Sequence, residues 1–252
     1  MRDITSHSNP RIKRLKRLMS QRKARAEENA FVLEGWRSLE GIMRINQEAF
    51  QIELICISDQ FNPPSSLPPE VEVIRLPEPI FNSITDLEQS PGILTVINPR
   101  KIALDWTLFS KILLLDRIRD PGNLGTLIRS AVGAGYDAIL LYGDCVDPTN
   151  PKVLRASMGT FPRIPIVPCS SDLLTSLQQK FGMQLIGLIC REGTPIRQLT
   201  TLESFIVALG SEANGLAEEL ISCCDQFATI EIEEACESLN VAVAGSVAMF
   251  TL

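Results

Sequence analysis

Residues 230–252 read IEIEEACESLNVAVAGSVAMFTL, and no other stretch limits the possible folds as strongly. From residue 241 on, Val241, Val243, Val247, Met249 and Phe250 are spread around a helical wheel and leave no polar face for water. Such a helix belongs in a fold interior or between subunits. Ala242, Ala244, Gly245 and Ser246 are small enough to let other backbone approach. The helix is entered through Ser238-Leu239-Asn240, where Ser238 reads as the N-cap, its oxygen accepting an orphan amide of the first turn. The end of the chain is therefore expected to be tucked into a site.

Burying such a helix needs a layered body, and the rest of the sequence supplies one. Residues 8–25 place Ile12, Leu15, Leu18 and Met19 at helical spacing, with Ser8 or Asn9 as cap and Pro10 in the first turn. Short apolar strands at 31–33, 52–57, 71–76 and 92–97 alternate with helices at 36–45 and 78–88. This predicts a small α/β domain over 1–98, followed by a linker over 99–110. A second α/β domain is expected over 111–252. Its strands lie at 112–115, 138–141, 164–167, 184–189 and 205–209, with helices after residue 123 and over 151–160 and 171–180.

Formal net charge is −6, unevenly spread. Residues 1–25 hold nine Lys or Arg against the single acid Asp3, leaving 15 basic and 29 acidic side chains for the other 227 residues. A basic end on an acidic body suggests an anionic partner such as RNA, through Arg11, Lys13, Arg14, Lys16, Arg17, Arg22 and Lys23. A solvated helix and an organellar address are the competing readings. The seven cysteines form no Cys-x-x-Cys pair and the single histidine, His7, is distant from them in sequence, which argues against a zinc site or any other metal. Reduced, buried thiols in the cytoplasm are expected. No segment approaches the roughly 20 apolar residues of a membrane span.

Three polar loops follow apolar strands. The first holds Asn123-Leu124-Gly125-Thr126-Leu127-Ile128-Arg129, the second Gly210-Ser211-Glu212-Ala213-Asn214-Gly215, and the third runs from Ile230 to Ser238-Leu239-Asn240. Taken singly, Asn123 is a helix cap, Arg129 an exposed helical arginine, Glu212 a first-turn acid and Leu239 core. Taken in order, Asn-x-Gly-x-x-x-Arg, Gly-x-Glu-x-x-Gly and Ser-Leu-Asn-Val resemble the three motifs of the SpoU (TrmH) family of RNA 2′-O-ribose methyltransferases, in the SPOUT class. Residues 151–168 are similar to the segment between those motifs. Residues 1–97 are similar to the substrate-binding domain, itself resembling a ribosomal protein, that many members carry in front.

The resemblance implies a parallel sheet with helices on both faces and a deep trefoil knot formed by the C-terminal segment. It implies S-adenosyl-L-methionine as cofactor, a homodimer, and ribosomal RNA as substrate, with transfer RNA or a non-catalytic RNA-binding role as alternatives. Carried over by motif, Gly210, Ile230 and Leu239 contact the cofactor. Asn123 and Arg129 belong to the catalytic motif, Glu212 is the acid of the second, and Ser238 and Asn240 are the polar pair of the third. Two positions depart from the pattern: Glu231 stands where many members have proline, and Ala242 where many have a second serine. Because arginine stays charged in proteins, Arg129 is expected to stabilise the developing ribose alkoxide rather than to take its proton. No glycine-rich Rossmann run is present.

Overall fold

A computed structural model describes residues 2–45, 49–199, 203–233 and 235–252. The chain divides into two compact units. One comprises Met1–Ala103 with Thr149–Pro162, the other Leu104–Pro148 with Arg163–Leu252. A single catalytic domain over 111–252 does not anticipate this excursion of 149–162 into the first unit.

The front half of the chain runs β1 (Arg2–Asp3), α1 (Pro10–Ser20), α2 (Arg22–Glu28), β2 (Phe31–Glu34), α3 (Trp36–Arg44), β3 (Phe50–Ser58), β4 (Glu72–Leu76), α4 (Glu78–Asn82) and β5 (Ile93–Pro99). Its sheet has the order β1-β4-β3-β5-β2. β4 is parallel to β1 and β3, while β5 is antiparallel to β3 and β2. The basic segment is two helices rather than one, because the backbone extends at Gln21 (φ −120°, ψ 114°). Asn9 caps α1 by accepting from the Arg11 N–H at 2.9 Å. Ile12, Leu15 and Leu18 are fully buried in one cluster with Val32, Cys56, Leu94 and Val96 of the sheet.

The remaining elements are β6 (Lys111–Asp116), α5 (Pro121–Gly133), β7 (Ala138–Tyr142), α6 (Pro151–Ala156), β8 (Ile166–Cys169), α7 (Ser171–Gln179), β9 (Gln184–Leu188), β10 (Thr194–Pro195), β11 (Phe205–Leu209), α8 (Glu218–Cys223), β12 (Gln226–Thr229) and α9 (Val241–Thr251). α6 belongs to the first unit. Its Arg155 pairs with Glu34, whose side chain is only 2% exposed, and which also accepts from Thr85 Oγ1 at 2.5 Å. Phe161 stands edge-on to Phe31, with ring centroids 5.6 Å apart.

The second sheet has the order β10-β12-β9-β11-β6-β7-β8, and every pairing in it is parallel. Its central strands β6 and β11 are buried almost throughout, as strands covered on both faces must be. Helix α9 packs on α5 and β11. A Cβ added at Gly245 would lie 2.4 Å from Leu127 Cδ2 and 2.5 Å from Leu209 Cδ1. The helix is not buried all round within the chain, since Val243, Val247 and Phe250 are 49%, 40% and 66% exposed along one stripe. Nor is Ser238 its cap. Asn240 Oδ1 takes that place, accepting from the N–H groups of Ala242 at 2.9 Å and Val243 at 3.3 Å.

Candidate active site

A cleft of about 340 Å³ opens at the carboxyl ends of β9, β11 and β12, the position where open α/β sheets place ligands. Leu188, Ile189 and Cys190 come from the end of β9. Leu209 and the turn from Gly210 to Leu216 come from β11, and Ile230 and Ile232 from the segment after β12. Ser238 to Val241, with Ala244, close it from the entry to α9. Three apolar crossings and one polar edge suit a ligand with a flat apolar ring and a charged tail. The turn after β11 is very close to itself. Ser211 and Gly215 exchange backbone hydrogen bonds at 3.1 and 2.9 Å, and a Cβ on Gly210 would fall 2.0 Å from the Gly215 carbonyl carbon. Only glycine leaves that wall intact, so this main-chain cradle fits a cofactor read by backbone groups.

The motif residues meet at the polar edge. Asp120 caps α5 and accepts from the Asn123 N–H at 2.8 Å, so Asn123 sits one turn inside the helix rather than at its cap, and its side chain is available for other contacts. Asn240 Nδ2 donates to Asn123 Oδ1 at 3.1 Å, and Asn123 Nδ2 donates to Glu212 Oε1. Because Asn240 Oδ1 is held by the first amides of α9, only its amino group can face Asn123. The orientation of each amide in the chain is thereby fixed. Ser238, relieved of capping, lines the cleft.

Arg129 is not part of this group. It lies six residues beyond Asn123 on α5, a rise of about 9 Å at the helical pitch, and its side chain is exposed outside the cleft lining. The basic face of the first unit is partly occupied by its own acids. Arg11 pairs with Glu72 at 2.6 Å, and Arg14 with Glu28 at 2.6 Å and Glu53 at 2.5 Å. The Arg14 contact holds the Glu53 carboxyl below its ordinary range. Arg17 and Lys23 stand 3.6 Å from Glu28 and Glu27, Arg22 is exposed, and Lys13 and Lys16 carry no ion pair among the described residues. Sequence reasoning passes over Leu188, Ile189, Cys190 and Ala244. For the first three, position at the end of a central strand was the available signal. Ile232 was legible from its alternation with Ile230. Burial pushes the Cys169 and Cys224 thiols up to about 11, which keeps them protonated and unreactive at neutral pH. Among the described residues no three His, Cys, Asp or Glu are placed to hold a metal, and no helix is long and apolar enough to cross a membrane.

Comparison with known proteins agrees with this geometry. Residues 110–250 match the SpoU rRNA methylase family, and residues 9–95 match the MRM3-like substrate binding domain. The chain is 30% identical over 252 residues to the 23S rRNA (guanosine(2553)-2′-O)-methyltransferase RlmP of Bacillus subtilis, covering 100% of this chain and 99% of that protein. It is 35% identical over 141 residues to the 23S rRNA (guanosine-2′-O-)-methyltransferase RlmB of Xylella fastidiosa, covering 55% of this chain and 56% of that one. The crystal structure of an AdoMet-bound rRNA methyltransferase from Sinorhizobium meliloti superimposes with a TM-score of 0.85 at 24% identity, covering 99% and 96% of the two chains. Fold and site thus define a SPOUT-type α/β methyltransferase. The chain belongs to the SpoU rRNA methylase family, whose activity is RNA 2′-O-ribose methylation.

Proposed function

We propose that the protein methylates a ribose 2′-hydroxyl of ribosomal RNA, with S-adenosyl-L-methionine as methyl donor held in the cleft. The observation that carries this reading is the hydrogen-bonded chain from Asn240 through Asn123 to Glu212 at the polar edge of an apolar cleft. It joins the three motif loops at one point. The naming of relatives as 23S rRNA methyltransferases supports ribosomal over transfer RNA. A non-catalytic role finds no support in a chain that keeps both Asn123 and Arg129 of the catalytic motif.

The cofactor supplies an electrophilic methyl group on a sulfonium. Gly210, Ile230 and Leu239, which line the cleft, would hold its adenosyl portion, and the main chain around Gly210 would offer amides and carbonyls to it. Asn123 and Asn240 orient the incoming ribose, and Ser238 fixes its hydroxyl toward the cleft. Glu212, aimed by Asn123, stands as acceptor for the proton that leaves the hydroxyl. Arg129 is assigned to the developing alkoxide and to the adjoining phosphate, its side chain turning in when RNA is seated.

The same reading takes the molecule to be a cytoplasmic homodimer whose C-terminal segment is threaded as the family's knot. Its support is the apolar stripe of Val243, Val247 and Phe250 on α9, together with seven free thiols. On the first unit, Lys13 and Lys16 are the cations best placed to meet RNA phosphates.

The test is methyl transfer from isotopically labelled S-adenosylmethionine to ribosomal RNA lacking the modification, followed by nucleoside analysis. The expected product is a 2′-O-methylated nucleoside at one position. Label recovered on a base, or transferred to transfer RNA alone, would overturn the proposal.

A further inference from the structure

The strand that leads into the first motif ends in Asp116, a carboxylate with no exposed surface. A charge so placed must be fully partnered. Arg117, its immediate neighbour, donates from Nε to Oδ1 at 2.8 Å and from Nη2 to Oδ2 at 3.0 Å. The Ala217 N–H adds a third bond to Oδ2 at 2.7 Å. A side chain can fold back on the preceding residue in this way only if the backbone turns sharply, and Arg117 lies at φ +54°, in the left-handed region that non-glycine residues rarely enter. Its stem also needs space. Opposite it stands Gly143, where a Cβ would come within 2.8 Å of Arg117 Cγ. Two unusual backbone features therefore serve to place one guanidinium.

That guanidinium reaches further. Arg117 Nη2 also donates to the Gly215 carbonyl at 3.2 Å. Gly215 and Leu216 are the backbone against which Gly210 is pressed, and all three line the cleft. Glu212 lies between Gly210 and Gly215, at the tip of the same turn. The bond to Asp116 raises the Arg117 pKa, so the guanidinium stays charged at any working pH.

We infer that Arg117, locked onto buried Asp116, is a positioning residue that holds the turn from Gly210 to Leu216 in the shape that receives the cofactor and aims Glu212 at Asn123. This rests on the cleft being the S-adenosylmethionine site. Without the strut the turn keeps its own two backbone bonds and the tie from Ala217 to Asp116, but loses the bond that fixes the Gly215 carbonyl. Lysine cannot replace it, since one ammonium does not reproduce a two-pronged grip with a third reach.

The test uses the full chain with Arg117→Gly, Arg117→Lys and Asp116→Asn. Glycine removes the guanidinium and relieves the left-handed backbone at once. Asparagine keeps an acceptor for Ala217 and weakens only the hold on Arg117. Thermal midpoint, S-adenosylmethionine affinity by calorimetry, and kcat and KM for RNA are read on each. The expected pattern is a Kd for S-adenosylmethionine raised about tenfold or more, the scale of one lost charge-assisted bond. kcat should fall with it, while the midpoint in Arg117→Lys and the KM for RNA stay near the parent values. Unchanged cofactor affinity in a folded variant would overturn the inference. So would midpoint, cofactor affinity and RNA KM deteriorating in step, which marks a residue that only stabilises the fold. A parent protein that binds no S-adenosylmethionine would instead remove the reading beneath it.

Discussion

Arg129 and Asn123 share one motif and one helix, yet only Asn123 meets Glu212 and Asn240. A role made only in the transition state asks for no contact of Arg129 with Glu212 or Asn240 in the free protein. Arg129→Ala is accordingly expected to cut kcat to less than about a tenth of the parent at saturating RNA, with cofactor affinity unchanged to within about twofold. Single-turnover methylation and calorimetry on the same sample check both halves, and weakened cofactor binding with normal kcat would contradict the role. That Asn123, Glu212 and Asn240 come together was legible because three short motifs stand in fixed order. Their local duties were less so. Ser238 and Asn240 are equally good capping types two residues apart, and pattern alone could not tell that Asn240 caps α9 while Ser238 faces the cleft. The same ambiguity attached to Asp120 and Asn123.

At the scale of elements, α1 and α9 carry the testable consequences. Arg11 and Arg14 are tied to Glu72, Glu28 and Glu53, so reversing them would disturb the fold as well as any RNA contact. Lys13 and Lys16 avoid that confusion. The pair Lys13→Glu and Lys16→Glu should raise the KM for RNA and flatten its salt dependence by about one logarithmic unit per lysine, leaving cofactor affinity alone. Equal salt slopes for variant and parent would remove α1 from the RNA surface. In α9, Gly245 faces inward onto Leu127 and Leu209 while its neighbour Ala244 lines the cleft. Gly245→Leu should cost about 1–3 kcal/mol by overpacking and weaken cofactor binding with it, because moving α9 moves Asn240. Thermal melts with and without S-adenosylmethionine would show this as a lowered midpoint and a smaller ligand-induced shift. Most strands were readable from apolar runs, whereas β1, β10, β12 and the break at Gln21 were not. Nothing in the local composition of Met19-Ser20-Gln21-Arg22 announces an extended residue; beyond it α2 folds back on α1, with Arg25 Nη1 donating to the Leu18 carbonyl at 2.9 Å.

For the whole molecule, the apolar stripe on α9 is the feature least suited to a solitary chain. Val247→Glu places a charge in its middle, away from the inward face that packs on Leu127. The variant is expected to sediment as a monomer while the parent sediments as a dimer, with the midpoint made dependent on protein concentration in the parent only. Parent and variant sedimenting alike would show that the stripe has another use. Two α/β bodies were legible from alternation, but the allocation of 149–162 was not, since the partners of Arg155 and Phe161 lie more than a hundred residues upstream.

That excursion has a consequence for how such a chain can be inherited. A module joined to its neighbour at one seam can be shuffled between genes by one recombination event. Here the polypeptide crosses from one body to the other at 103/104, 148/149 and 162/163. A fragment starting at residue 104 would keep Arg155 and Phe161 and lose Glu34, Phe31 and Phe50, leaving a cation and an aromatic ring without the surroundings they are shaped for. Exchange of the front body between relatives therefore requires residues 149–162 to change hands with it, and the two should diverge as a single heritable piece.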